Sequence, residues 1–299
     1  MPWIQARLHA AKEQVDALED ALLATGALSV TLMDDADQPI LEPELGTTPL
    51  WDQTLLLGLY DANTEADTLQ QRLQLAFTAE GGALLPNCKI EILEDKDWVR
   101  AWMDDYQAMQ FGQRLWVCPS WQQPPEPDAV NLMLDPGLAF GTGTHPTTAL
   151  CLSYLDSAIQ GGEHILDFGC GSGILGMAAL LLGAERMTGT DIDPQALEAT
   201  QENAKRNGIE PARFQVFLPE NTPELQADVT IANILAGPLR QLAPHIAQLT
   251  RPGGQLALSG ILAEQASEVQ ACYQQWFEMD DPQFLDDWAL LSGRKRQER

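Results

Sequence analysis

The sequence predicts an α/β protein in two parts, a small α+β domain followed by a mostly parallel sheet with helices on both faces. Three observations predict it. The first ninety-odd residues follow the order β-α-β-β-α-β. From Thr147 onward helix and strand alternate, which demands a parallel sheet covered on both sides. Within that alternation, Asp167-Phe-Gly169-Cys-Gly171-Ser-Gly173 joins an acid-ended strand to a helix, and a second strand ends on Asp191, twenty residues after Gly171.

Residues 3–9 alternate as a strand. Residues 12–25 carry Val15, Leu18 and Leu22 at helical spacing and stop at Gly26. Residues 28–33 and 54–60 are strands. Residues 65–77 form a helix with Leu69, Leu73 and Phe77 four apart, closed by Gly81-Gly82, and residues 89–93 complete the set. This is the order of a ferredoxin-like split βαβ unit, spanning residues 1–94. It holds sixteen acids against four bases, so any partner it recognises is cationic. The run Asp34-Asp35-Ala-Asp37 reads first as a solvated turn. Residues 95–110 form a linker helix with Trp98, Trp102 and Tyr106 along one face.

The second domain spans residues 111–299. Strands at 114–118 and 130–134 flank the stiff loop around Pro124-Pro125-Glu-Pro127. The expected elements then run helix 148–159, strand 165–168, helix 174–182, strand 187–191 and helix 194–207, with Pro194 at its start and Gly208 after it. Strands at 214–217, 229–232 and 255–259 alternate with helices 239–249 and 264–277, and residues 284–291 supply a last strand. Ligands of such sheets bind beyond the carboxyl ends of the strands, where Asp167, Asp191 and Asn233 all fall.

Composition narrows the function. The chain has 299 residues, 43 acids against 17 bases and a net charge of −26. A protein gripping RNA or DNA needs a basic face, and the cluster Arg294-Lys295-Arg296 reads as a solvated terminus, so nucleic acid is not the direct substrate. The acidity fits either a cationic protein partner or a salt-adapted proteome. Five scattered cysteines without a C-x-x-C pair argue for reduced thiols in cytosol and against a zinc site. Neither a secretory leader nor an apolar run long enough to cross a membrane is evident.

The glycine turn marks a nucleoside-cofactor site. Gly171-Ser-Gly173-Ile-Leu-Gly176 formally satisfies the dinucleotide fingerprint, but a pyrophosphate would meet Asp167 two residues before the first glycine. S-adenosylmethionine brings an ammonium and a sulfonium and no phosphate, and Asp191 is placed to accept from ribose hydroxyls. Charge selects the methyl donor.

Two further segments narrow the match. Phe140-Gly-Thr-Gly-Thr144-His145-Pro-Thr147-Thr148 precedes the first helix of the sheet domain, and Ala232-Asn233-Ile-Leu-Ala236 ends its fourth strand. With Asp97-Trp98 and the glycine turn, they resemble the methyltransferases of ribosomal large-subunit protein eleven, the PrmA family, over nearly the whole chain. The resemblance implies a class I, Rossmann-like methyltransferase with a seven-stranded, mostly parallel sheet, fronted by a ferredoxin-like domain that holds the ribosomal protein. It implies trimethylation of lysine ε-amines and of the N-terminal α-amine of that protein, free of the ribosome. Its cofactor contacts carry over to Thr148, Gly169, Asp191 and Asn233.

Asn233 is the catalytic candidate, its side-chain carbonyl offered to the amine. Amide and base methyltransferases place an aromatic ring after this asparagine. Ile234-Leu235-Ala236 has none, which favours an aliphatic amine. His145 is a base or only the residue that fixes the helix start; Thr147 and Thr148 sit where a helix cap belongs, and the loop at Gly141-Thr-Gly143 is flexible enough to close over a ligand. Two rival readings remain: a regulator that senses S-adenosylmethionine, and a small-molecule amine methyltransferase, which leaves the front domain unexplained.

Overall fold

The structure, a computed structural model, describes residues 3–36, 38, 40, 47–93, 107–135 and 143–297. The chain forms two compact units, residues 1–105 and 106–299.

In the first unit Trp3–Ala11 (β1), Val15–Ala24 (α1), Ser29–Asp34 (β2), Gln53–Tyr60 (β3), Ala66–Ala79 (α2) and Cys88–Leu93 (β4) build a four-stranded antiparallel sheet in the order β2-β3-β1-β4. Strand alternation sends Ile4, Ala6, Leu8 and Ala10 to one face. The helices lay Val15, Leu18, Leu22, Leu69, Leu73 and Phe77 against that face, so two periodicities meet in one core. Tyr60 is sealed there, its hydroxyl satisfied by Thr25 Oγ1 at 2.8 Å. Asp34 accepts the backbone N–H of Ala36, as a solvated turn does, and Asp35 meets His9 Nδ1 at 2.6 Å.

The second unit opens with Met109–Phe111 (β5), Leu115–Cys118 (β6) and Val130–Met133 (β7), a separate sheet in which β6 pairs antiparallel with β5 and parallel with β7. Then follow Pro146–Ala158 (α3), His164–Phe168 (β8), Ile174–Leu182 (α4), Arg186–Thr190 (β9), Pro194–Arg206 (α5), Phe214–Phe217 (β10) and Ala227–Asn233 (β11). Ala236–Gln241 (α6), Ala243–Leu249 (α7), Thr250–Leu262 (β12), Ala266–Tyr273 (α8), Phe277–Met279 (β13), Gln283–Leu285 (β14) and Trp288–Lys295 (β15) complete it. The strand order is β10-β9-β8-β11-β12-β15-β13, with β14 added on β15. The strands β10 to β12 run parallel, and β15 runs antiparallel to β12. The chain steps outward from β8 to β10 and returns on the other side of β8 with β11, so the topological switch lies between β8 and β11. Among the described residues no helix is long and apolar enough to cross a membrane, and no group of three His, Cys, Asp or Glu side chains is arranged to hold a metal.

Several local expectations change. Met109 and Gln110, read as the end of the linker helix, are strand residues, and Gln107 and Ala108 before them are not helical; residues 95–106 of that expected helix, with Trp98, Trp102 and Tyr106, lie outside the described residues. The helix expected over 239–249 breaks at Leu242, because Pro244 has no N–H to continue the ladder and sits at the start of a new helix. The helix expected over 264–277 is shorter, giving way to the strand Phe277–Met279. The single last strand is a hairpin, β14 and β15. The basic cluster is not a solvated tail: Lys295 Nζ donates to the carbonyls of Ala247 and Thr250 at 2.6 and 2.7 Å, closing the end of α7, and Arg294 donates to Gly253 O.

Candidate cofactor and amine site

The glycine turn leaves β8 and is pinned to the neighbouring strand, with Gly169 N and Cys170 N both donating to Thr190 O at 2.7 and 3.0 Å. Gly169 has φ +82, and a Cβ built there would stand 2.4 Å from Ile234 Cγ2. Only glycine satisfies both constraints, since the left-handed region and the close approach each exclude a side chain. Ile234 follows Asn233, so the turn after β8 and the turn after β11 pack directly on each other across the switch point. Cys170, small and buried, takes the turn's inner side beside Thr200.

Asp191 stands at the end of β9 and faces the turn. Its Oδ2 accepts from Gly171 N at 2.8 Å and its Oδ1 from Asp193 N at 3.0 Å. Two backbone donors fix the carboxylate's plane and leave lone pairs on both oxygens. Ile192, the next residue, is 85% exposed, an apolar side chain standing in solvent beside that carboxylate. Sequence reasoning passed over it, although an isoleucine between two strand-end acids is a signal for a surface that a flat ligand covers.

Asp167 behaves differently from the expectation. It is fully buried, because position 167 shares the α4-facing side of β8 with Ile165. Its Oδ2 accepts from Gly176 N at 2.9 Å, in the first turn of α4, while Oδ1 is sealed with no hydrogen-bond partner. Burial pushes its carboxyl up to about 7, against the pull of the Gly176 N–H, with the neighbouring Asp191 charge adding to the rise. Burial therefore disfavours the charged form of Asp167, whereas Asp191 holds its half-buried carboxyl between two backbone donors.

The other side of the candidate site is built on α3. His145, not a threonine, caps this helix: its Nδ1 accepts from Thr147 N at 3.3 Å and lies 2.7 Å from Thr147 Oγ1, with Pro146 in the first turn. Desolvation holds the His145 imidazole below its ordinary pKa, and its ring meets Trp288 edge-on with centroids 4.7 Å apart. Thr147 and Thr148 are buried in the first turn. Asn233 Nδ2 donates to Thr148 Oγ1 at 3.4 Å, which joins two residues 85 positions apart and leaves the Asn233 carbonyl free of donors among the described residues. Leu235, 49% exposed, stands where a ring would be needed to sandwich a flat substrate.

All four anticipated site residues lie along this one edge, in two linked pairs. The Gly169 turn abuts Asp191 through Gly171, and Thr148 holds Asn233. A cavity of about 400 Å³ lined by His164, Arg186 and Arg213 opens at the opposite, amino ends of the strands and touches none of them. Of the glycine loop before α3, only Gly143 and Thr144 are described.

A parallel sheet with this strand order, a glycine turn at its switch point and an acid closing the next strand defines a class I, Rossmann-like methyltransferase. Residues 2–296 match the family described as "Ribosomal protein L11 methyltransferase (PrmA)", and the chain belongs to that family. It is 61% identical over 296 residues to the ribosomal protein L11 methyltransferase of Pseudomonas aeruginosa strain LESB58, covering 99% of each chain. It is 60% identical to that of Azotobacter vinelandii, over 99% of this chain and all of the relative. A crystal structure of ribosomal protein L11 methylase from Lactobacillus delbrueckii subsp. bulgaricus superimposes with a TM-score of 0.58 at 31% identity, covering 64% of this chain and 100% of that one. The protein is an S-adenosylmethionine-dependent methyltransferase of ribosomal protein L11.

Proposed function

We propose that the enzyme methylates lysine ε-amines and the N-terminal α-amine of ribosomal protein L11, that it acts on the protein free of the ribosome in the cytoplasm, and that nucleic acid is not a substrate. Asn233 carries this reading: its amide is oriented by Thr148, its carbonyl is unclaimed, and aliphatic residues follow it. The net charge of −26 supports a cationic polypeptide and opposes RNA. The front unit, residues 1–94, is assigned to holding the protein substrate, residues 95–110 to linking, and residues 111–299 to methyl transfer.

The residues fit S-adenosylmethionine. The Asp191 carboxyl, set by two backbone donors, suits a ligand that brings hydroxyl donors and no phosphate, and the bare Cα of Gly169 admits close approach. Asp191 would hold the ribose, the Gly169 turn the body of the cofactor, and Thr148 with Asn233 the end nearest the reacting methyl. Bound there, the cofactor supplies an electrophilic methyl on sulfur.

The chain's own task is to present a neutral nitrogen in line with that methyl. A lysine near pKa 10.4 must lose a proton at a cost of about 4–5 kcal/mol at pH 7. Asn233 Oδ1 accepts one N–H of the amine and aims its lone pair away from that bond. The proton leaves to water. His145 is held by Thr147 as a helix cap and is given no proton-transfer role. Asn233 bonds the neutral amine at the first and second additions, when an N–H remains; a nitrogen awaiting a third methyl carries none and is placed without this bond.

The test is incubation of the enzyme with tritiated S-adenosylmethionine and free ribosomal protein L11, followed by peptide mass spectrometry. Methyl groups are expected on lysine side chains and on the N-terminal amine. Label in RNA, or label only with assembled ribosomal subunits, would overturn the reading.

A further inference from the structure

The hairpin formed by β14 and β15 stands beside the amine site with no assigned role. In register, Asn233 of β11 lies opposite Ser259 of β12, and Leu262 of β12 lies opposite Trp288, the first residue of β15. The hairpin turn therefore rises at the carboxyl ends of the strands, three residues beyond Asn233, about 10 Å at 3.3 Å per residue. It is moored to the same wall, because the Trp288 ring packs edge-on against His145, the cap of the helix whose Thr148 orients Asn233.

Its surface is unlike its surroundings. Phe284 is 56% and Leu285 41% exposed. Among the described residues of the second unit the exposed large apolar side chains are Ile192, Leu235, Leu242, Phe284 and Leu285, and four of these five follow carboxyl ends or crown this hairpin. Apolar side chains gathered on one rim mark a surface that something covers. The turn itself is Asp286-Asp287, both exposed. Asp286 is the single non-glycine residue with positive φ among those described, at 51°. Neither carboxylate has a cationic partner among the described residues. Asp280 at the hairpin's base is occupied by Ser292 Oγ.

We propose that residues 283–288 form a docking ledge within the methyltransferase unit for the lysine-bearing segment of the protein substrate, with Asp286 and Asp287 meeting cationic side chains that flank the target amine and Phe284 and Leu285 covering their aliphatic stems. Charge complementarity selects the occupant: an acidic turn in an acidic chain repels RNA and favours a basic polypeptide. Lysine suits the ledge because its stem is apolar and its head is charged. The ledge gives the unit a local grip on sequence around the amine, separate from the hold of the front unit. This inference rests on the reading that the nucleophile is a protein amine.

Two variants of the full chain test it, Phe284→Ser with Leu285→Ser, and Asp286→Asn with Asp287→Asn. Asparagine tolerates the positive φ and removes only the charge. Methylation of free ribosomal protein L11 is measured against protein concentration and ionic strength, with calorimetry of S-adenosylmethionine and the thermal midpoint alongside. Each variant is expected to raise KM for the protein by about tenfold with kcat within about twofold. Cofactor affinity and midpoint should match wild type, and the asparagine pair should flatten the rise of KM with salt. Unchanged KM and salt dependence overturn the ledge, as does a parallel loss of kcat and cofactor affinity, which would make the hairpin a structural brace. Wild type that labels no protein amine removes the underlying reading instead, before the variants are compared.

Discussion

Replacing Asp167 by Asn isolates the electrostatic cost of the buried acid. Asp167 has no exposure, one oxygen bonded to Gly176 N and one without a partner, and its carboxyl is raised to about 7 from 3.8. Because the folded value is above the unfolded one, the native state holds a proton that the unfolded chain has released between about pH 4 and 7. Stability is therefore fully present below pH 4 and is lost as pH rises through 7. At about 1.4 kcal/mol per pH unit, the whole loss is roughly 4 kcal/mol. Asn keeps an acceptor for Gly176 N and carries no charge, so its stability relative to wild type should climb across that window and level off above it. Denaturant unfolding of both full-length proteins at pH 5, 6, 7 and 8 without cofactor gives the difference directly. Hydrogen exchange in His164–Phe168 assigns it to the sheet unit. Cofactor binding adds a second readout. A cationic ligand near this carboxyl favours its ionised form, so wild-type affinity should rise as pH goes from 6 to 8 while the variant's stays flat. A difference in stability that is constant with pH would refute the reasoning, because it would mean the carboxyl is already ionised at pH 5.

Three further perturbations separate the parts of the site. Asn233→Ala should lower kcat/KM for ribosomal protein L11 by roughly 10–100-fold, the range for losing one buried polar contact, and Thr148→Val by about tenfold through misorientation of Asn233; steady-state kinetics with intact thermal midpoints checks both. Gly169→Ala should weaken cofactor binding by at least about tenfold in calorimetry, since its Cβ would meet Ile234 Cγ2 at 2.4 Å, and adding Ile234→Ala should recover only part because φ stays at +82. Deleting residues 1–94 should abolish protein methylation while cofactor binding survives, because the sheet unit has cores of its own, around Leu155 and Met177 and around Ile246 and Tyr273; an unchanged methylation rate would remove the recognition role of the front unit.

Much of this architecture was legible because the two periods are cleanly written. Leu69, Leu73 and Phe77 can only line one helical face, and the alternation of Ile4, Ala6 and Leu8 can only line one face of a strand. What was not legible depended on contacts distant in sequence or on elements too short to show a period. Met109–Phe111 is three residues long and lies in a stretch whose helical spacing is equally regular, so only its pairing with Leu115–Cys118 makes it a strand. The C-terminal bases look solvated until α7 presents its last carbonyls to Lys295. The contact between Thr148 and Asn233, across 85 positions, has no signal in spacing; the resemblance to a family named the two residues only as separate cofactor contacts.

Asp167 is the instructive failure. An acid at a strand end beside a glycine turn invites the reading that it faces a cationic ligand, and the choice of methyl donor over dinucleotide leaned on it. The strand's own period argued otherwise: Ile165 and Asp167 share a face, and that face is roofed by a helix whose residues from Ile174 to Leu180 are all buried. A pyrophosphate is disfavoured at this turn on two counts. An anion lying along the turn would meet a carboxylate whose position is set by two backbone donors, and would also make ionisation of the buried Asp167 still more costly. A sulfonium with an ammonium would do the opposite on both counts, lying against the Asp191 side chain without repulsion and favouring the ionised form of Asp167.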